Sequence, residues 1–301
     1  MWFLLSVIGY FFLAIAFVMD KFILTKSVGK PIIYTFYSTI FLLPVFLLVP
    51  FGLKVPQGID LFIALFSSFS FGFGLWTLFV AVKSGEASHI DPFNGAMITL
   101  ATYVGSSFFL GETLESAQIA GVVILVFACL LLSFEKSQKH HGFHIGFLWA
   151  IISGICFAAS LVAAKYLFGH YSFVETIVWT RASVGFFGIL LLASKTVRHS
   201  LLTAKKKKLK TYGKKHALSI VITAKVLSVV AILLINYAIS IGSVTLVNAL
   251  GGLQYVYMFI IIYLCTKFLP KIFKEYFTKR ELVVETIAIA LVALGSVFFV
   301  L

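Results

Sequence analysis

The chain has 301 residues, 61% hydrophobic, 16% aromatic and only 12% charged, with a formal net charge of +13 and a mean hydropathy of +1.07. Such a composition excludes an ordinary water-soluble domain and names the lipid bilayer as the solvent.

An apolar stretch of about 20 residues crosses a hydrocarbon core roughly 30 Å thick. On that measure ten helical spans are expected, over residues 2–24, 32–51, 60–82, 88–109, 116–134, 145–168, 173–194, 217–241, 243–266 and 281–301. The runs are continuously apolar, whereas barrel strands alternate over about ten residues, so the fold class is an all-α polytopic membrane protein. The first run has no basic segment before it and no small-residue cleavage site after it, and it ends in Lys21. It is expected to be a retained span rather than a signal peptide. A multi-pass protein of the plasma or inner membrane is the expected location.

Cys129, Cys156 and Cys265 lie in or at the ends of spans, with no CxxC and no Cys/His cluster. They imply no metal site, no disulfide framework and no cofactor. The histidine cluster "HHGFH", His140–His144, falls in a short connection. It is read as a surface loop, because paired helical histidine ligands need i, i+4 spacing and further ligands beside them.

Twenty of the 24 Lys and Arg fall on one side of the ten spans: Lys21, Lys26, Lys30, Lys83, Lys136, Lys139, the group from Lys195 to Lys215 and the group from Lys267 to Arg280. The other side receives Lys54 and, by snorkelling, Lys165, while Arg181 and Lys225 lie within spans. The positive-inside rule makes the first side cytoplasmic and turns both termini outward. The basic loop 195–216, "KTVRHSLLTAKKKKLKTYGKKH", is surrounded by no nucleic-acid-binding module, so nucleic acid is not expected as a partner. It is read as a topology determinant that touches anionic lipid headgroups.

Laid over itself with a shift of 144, the chain places "FVMDKFIL" (Phe17–Leu24) on "LVAAKYLF" (Leu161–Phe168). A shift of 157 places "AVKSGEAS" (Ala81–Ser88) on "AISIGSVT" (Ala238–Thr245), and one of about 167 brings Gly121 and Ala128 onto Ala288 and Gly295. Two five-span repeats follow, 1–139 and 140–301, the second carrying the basic loop. An odd span count inverts the second repeat relative to the first, an arrangement that secondary transporters use to build two half-pathways around a midplane site.

The third span ends in "LWTLFVAVKSGEAS", and "LGETLESAQIAGVVIL" joins the fourth to the fifth. With "LINYAISIGSVTLVNAL" in the second half, these segments resemble the EamA-like type of the drug/metabolite transporter superfamily. The resemblance implies a ten-helix transporter with inverted repeats. Where a second Gly-Glu would stand, the chain has "KFLPKIFKEYFTKRELVVE". Members of the superfamily are drawn with both termini in the cytoplasm, opposite to the orientation that the charges favour here.

Glu112 and Gly111 are read as structural: the glycine for a sharp turn, the carboxylate at the positive start of the fifth helix. Arg181 and Lys225 each lie about nine residues into a span, roughly 12–14 Å deep, where a charge normally faces the bundle interior and marks a pathway. The first span is free of acids until Asp20, and no carboxylate stands at a midplane, so two deep cations point to a substrate with a negative group. The small multidrug exporters of the same superfamily exchange protons for cationic drugs on a buried acid in their first span, and this chain lacks that acid. Trp76, His89, Asp91, Asn94, Asn236, Tyr237, Asn248, Gln254 and Tyr255 supply polar and aromatic groups for a pocket wall, and the 157-residue shift sets Asp91 on Asn248. For each of these the alternative is hydrogen bonding between helices.

The expected function is secondary transport of a small organic metabolite, an amino acid or other anionic or zwitterionic compound, by alternating access. The alternatives are a membrane scaffold or flippase accessory and a membrane enzyme acting on lipid-linked substrates. No acid cluster, His/Asp pair or metal motif at a membrane surface supports an enzyme. Lipid-facing helices leave room for a homodimer.

Overall fold

The computed structural model describes residues 1–24, 30–84, 87–133, 144–204, 214–268 and 279–299. Among them every regular element is helical. The helices are α1 (Trp2–Leu24), α2 (Pro31–Ile40), α3 (Ile59–Ser84), α4 (Ala87–Leu110), α5 (Ser116–Ser133), α6 (Ile145–Phe168), α7 (Phe173–Ile177), α8 (Val184–Leu191), α9 (Lys195–Ala204), α10 (Lys214–Ile241), α11 (Val244–Ala249), α12 (Gly252–Phe268) and α13 (Lys279–Val297).

Among the described residues, seven helical stretches are long and apolar enough to cross a membrane. Three shorter apolar ones, Pro31–Leu47, Val226–Ile241 and Leu282–Val297, stand where the other three spans are expected. Side chains such as Phe41, Phe62, Phe108 and Phe109 are exposed on the rim, as lipid-facing groups are. The protein is a multi-pass helical membrane protein.

Three expected spans are not continuous helices. The second is α2 followed by a 3-10 segment, Leu43–Phe51. Pro44 has no N–H to give and its ring collides with the carbonyl of Ile40, so the α-helix stops there. The seventh is α7 and α8 joined by a π-helical turn, Val178–Ala182. The ninth breaks at Leu250–Gly251 into α11 and α12; the paired glycines Gly251 and Gly252 make continuation costly. The basic loop is also partly helical, since α9 occupies Lys195–Ala204. Residues 205–213, with the lysine run, lie outside the described residues, as do 140–143 of the histidine cluster. His144 caps α6, its Nδ1 accepting the N–H of Gly146 at 3.0 Å.

The most extensive helix pairings are α3 with α6, α1 with α10 and α4 with α6. The α3–α6 pair is drawn close by small residues and glued by hydroxyls. Ser67 donates to the carbonyl of Ser160 at 2.8 Å, and Ser153 donates to the carbonyl of Gly74 at 2.8 Å. In a bilayer, where lipid competes equally for apolar surface, such close packing and interhelical hydrogen bonding hold helices together. α5 crosses α13 where Gly121 meets Gly295: a Cβ on Gly121 would lie 2.8 Å from the Gly295 carbonyl oxygen. The main apolar cluster sits between α1, α4, α5, α10, α11, α12 and α13.

Candidate functional site

Phe71 lies near the midpoint of α3, about 18 Å from either end of that helix. The Arg181 guanidinium carbon stands over its ring, 4.5 Å from the centroid. Arg181 sits on the π-helical turn between α7 and α8 and is 8% exposed. A π-turn widens one helical turn by a residue, and such turns occur often at functional sites. Its Nη2 donates to Oδ1 of Asn236 on α10 at 3.0 Å. The Asn236 amide is fixed in turn, its Nδ2 donating to the carbonyl of Ile232 at 2.8 Å. The Nε and Nη1 of Arg181 are buried with no hydrogen-bond partner among the described residues.

A buried positive charge beside the midpoint of α3 is therefore held by a neutral amide and an aromatic face, with N–H groups left over. A guanidinium has five donors in a rigid fork suited to carboxylate and phosphate oxygens. Leaving buried donors unmade costs roughly 1–3 kcal/mol each. An anionic group entering beside Arg181 recovers that cost, and it supplies a counter-charge that none of the described residues places on the guanidinium.

A polar seam runs along α4 beside α11 and α12. Tyr255 donates to the Asp91 carbonyl at 2.6 Å, Thr99 donates to the Asn248 carbonyl at 3.4 Å, and Ser106 meets the Thr245 hydroxyl at 2.8 Å. Gly95 makes room for this docking, because a Cβ there would stand 2.9 Å from the Tyr255 hydroxyl. The Oδ1 of Asn94 and the hydroxyl of Thr102 on the same helix are buried without partners among the described residues. The seam passes the break between α11 and α12, whose backbone is tied to α1 by the Tyr10 hydroxyl, 3.0 Å from the Val247 carbonyl.

The structure thus joins Arg181 to Asn236 and Asp91 to Tyr255, and it sets Asn248 on the α4 seam. Tyr237, Trp76 and Gln254 make their contacts elsewhere. Tyr237 is turned outward, 37% exposed, with its ring edge-on to Phe173 at 5.2 Å. Trp76 lies edge-on to Phe73 at 5.4 Å. Gln254 is buried with its Nε2 4.0 Å from the Met258 sulfur. The Lys225 side chain lies outside the described residues. The reading of Glu112 is corrected: α5 opens at Ser116, and the Glu112 carboxylate instead accepts from Thr245 at 2.6 Å. Gly111 does turn through the left-handed region, at φ +65°. Phe71, Thr99, Thr102, Ser106 and Thr245 were missed. The hydroxyls recur at three- and four-residue spacing on α4, a signal the sequence carried; Phe71 is one phenylalanine among 33 and carried none.

At the membrane edge before α7, Ser172 and Glu175 form a capping box, and Glu175 also accepts the Lys54 N–H at 2.9 Å. Tyr171 donates to Asp60 at 2.8 Å. That hydrogen bond to the protonated phenol raises the Tyr171 pKa.

These features define a multi-pass helical protein with a buried cation, beside the midpoint of α3, that meets no carboxylate among the described residues. Residues 1–134 match the sequence model of the EamA-like transporter family, the family that the motifs of the first half resemble. A solved structure described only as the crystal structure of a protein aligns at a TM-score of 0.67 and 15% identity, over 99% of this chain and 95% of that one, so the two share a fold. No curated protein matches the chain.

Proposed function

We infer that this protein is a secondary transporter of a small organic metabolite bearing a carboxylate or comparable anionic group, amino acids included, working by alternating access. The observation that carries this reading is the Arg181 guanidinium, buried beside Phe71 with its Nε and Nη1 unpartnered among the described residues. A transporter substrate is an intermittent counter-ion, and a site that keeps its charge unpaired is ready for one. The π-turn at Arg181 and the break between α11 and α12 add support, since interrupted helices line the substrate sites of many transporters.

Ten spans in two inverted five-helix repeats, 1–139 and 140–301, complete the reading. The exchange of repeats relates the pairing of α3 with α6 to that of α1 with α10, and it relates α4 with α6 to α1 with α12; all four pairings occur. Lys225 is a second deep cation on the pathway by its place in the sequence. The basic segments face the cytoplasm of a plasma or inner membrane and touch anionic headgroups, with both termini outside.

The test is flux into proteoliposomes of radiolabelled monocarboxylates, amino acids, sugar phosphates and cationic drugs. Uptake of anionic or zwitterionic compounds, lost in Arg181→Gln, supports the proposal. Flux of cationic drugs that survives the substitution would refute it.

A further inference from the structure

Lys165 was expected to reach for water. It is part-buried and turned inward instead, and its ammonium donates to three backbone carbonyls at the end of α10: Ile239 at 2.8 Å, Ser240 at 3.2 Å and Gly242 at 2.7 Å. The ammonium has three N–H donors, and the three carbonyls take them all. The last carbonyls of a helix lack intrahelical partners and carry the negative end of its dipole, so a cation placed there is strongly held.

A second chain of bonds lies at the same end of the bundle, where α4, α6 and α10 finish and α11 begins. Thr245 has one hydroxyl hydrogen and gives it to the Glu112 carboxylate at 2.6 Å. The Ser106 hydroxyl, 2.8 Å away, is then the donor to Thr245. Glu112 also lies within electrostatic reach of Lys165. The corner between α10 and α11, about residues 239–245, is therefore gripped from one side by α6 and from the other by α4 and the turn into α5.

We propose that this double clamp is the gate that closes one end of the pathway, with Lys165 as its bolt. Resting on the transport reading above, the proposal identifies which contacts must part when that end opens. Three observations separate a gate from permanent glue. Elsewhere α6 and α10 touch only sparsely, so the ammonium joins two helices that packing leaves largely free. The permanent α3–α6 seam, by contrast, is closed along its length by small residues and mid-membrane hydroxyls. The clamp also stands about 4–5 Å from the end of α6, where water can replace each of its hydrogen bonds when the helices separate.

The experiment is pulsed electron spin resonance between labels at His170→Cys and Ile241→Cys, at the ends of α6 and α10, with the three native cysteines replaced and no substrate added. The clamped protein is expected to give one narrow distance distribution. Lys165→Met should add a second, longer population, and Thr245→Val, which removes one hydroxyl and serves where Lys165→Met does not fold, should add a smaller one. Unchanged distributions in the folded variants would overturn the gate. Flux measured on the same preparations separates the two claims. Label separation without anion flux leaves the gate standing and removes the transport reading, whereas anion flux with unmoved labels removes the gate alone.

Discussion

Arg181 donates Nη2 to Oδ1 of Asn236 at 3.0 Å, so the buried cation is positioned by a group that carries no charge. Replacing that amide by the isosteric acid tests what the neutrality is for. Asn236→Asp places a carboxylate on the guanidinium and supplies the counter-charge internally. The variant should fold and should lose anion binding, while Asn236→Ala, which leaves Nη2 unpaired, should weaken it roughly 10-fold or more, in line with about 1.5–3 kcal/mol for a charge-assisted hydrogen bond. Titration calorimetry on the three proteins with one transported anion reads this directly.

Phe71 holds the other face of the guanidinium. A cation–π contact removed from water contributes up to about 2 kcal/mol. Phe71→Leu keeps an apolar side chain of similar length and removes the ring quadrupole. Anion affinity should fall several-fold, with the melting temperature little altered; unchanged affinity would show that the ring is packing only.

The spans were legible because lipid imposes a simple rule on sequence. Helices at 2–24, 145–168 and 116–133 agree with the apolar runs almost to the residue, since backbone groups in a bilayer have no alternative to a helix. What escaped was where helices bend. Pro44 could have been read as the end of α2, and the Gly251–Gly252 pair as a break, but the π-turn at Arg181 leaves no mark in composition. The site was legible to the same degree. Arg181 and Asn236 stood out as polar groups in apolar runs, while Phe71 could not. The shift that set Lys21 on Lys165 was visible in the sequence, but the carbonyls that Lys165 holds were not, because backbone acceptors have no letter.

The crossing of α5 and α13 depends on the absence of a side chain at Gly121. A Cβ there would also meet a ring carbon of Phe299 at 2.6 Å. Gly121→Val should destabilise the folded protein by about 1–3 kcal/mol, the usual range for overpacking. Thermal unfolding in detergent against Gly121→Ala measures it, and the alanine variant should fall between parent and valine.

Tyr171 provides a pH dependence outside the membrane. Its hydrogen bond to Asp60 raises the phenol pKa, so the contribution is fully present below the ordinary tyrosine value of about 10 and is lost as pH rises through the raised value. Parent protein should unfold at a higher temperature than Tyr171→Phe at pH 8, and the difference should vanish in strongly alkaline buffer. A difference independent of pH would assign the effect to packing.

The central claim is that Arg181 receives the negative group of a transported metabolite. The most direct measurement is ligand-induced thermal stabilisation of purified protein across amino acids, nucleotides, sugar phosphates and cationic drugs, with Arg181→Gln beside the parent. The account predicts stabilisation confined to anionic or zwitterionic compounds and absent from the variant. Stabilisation by cationic drugs that persists in Arg181→Gln would contradict it.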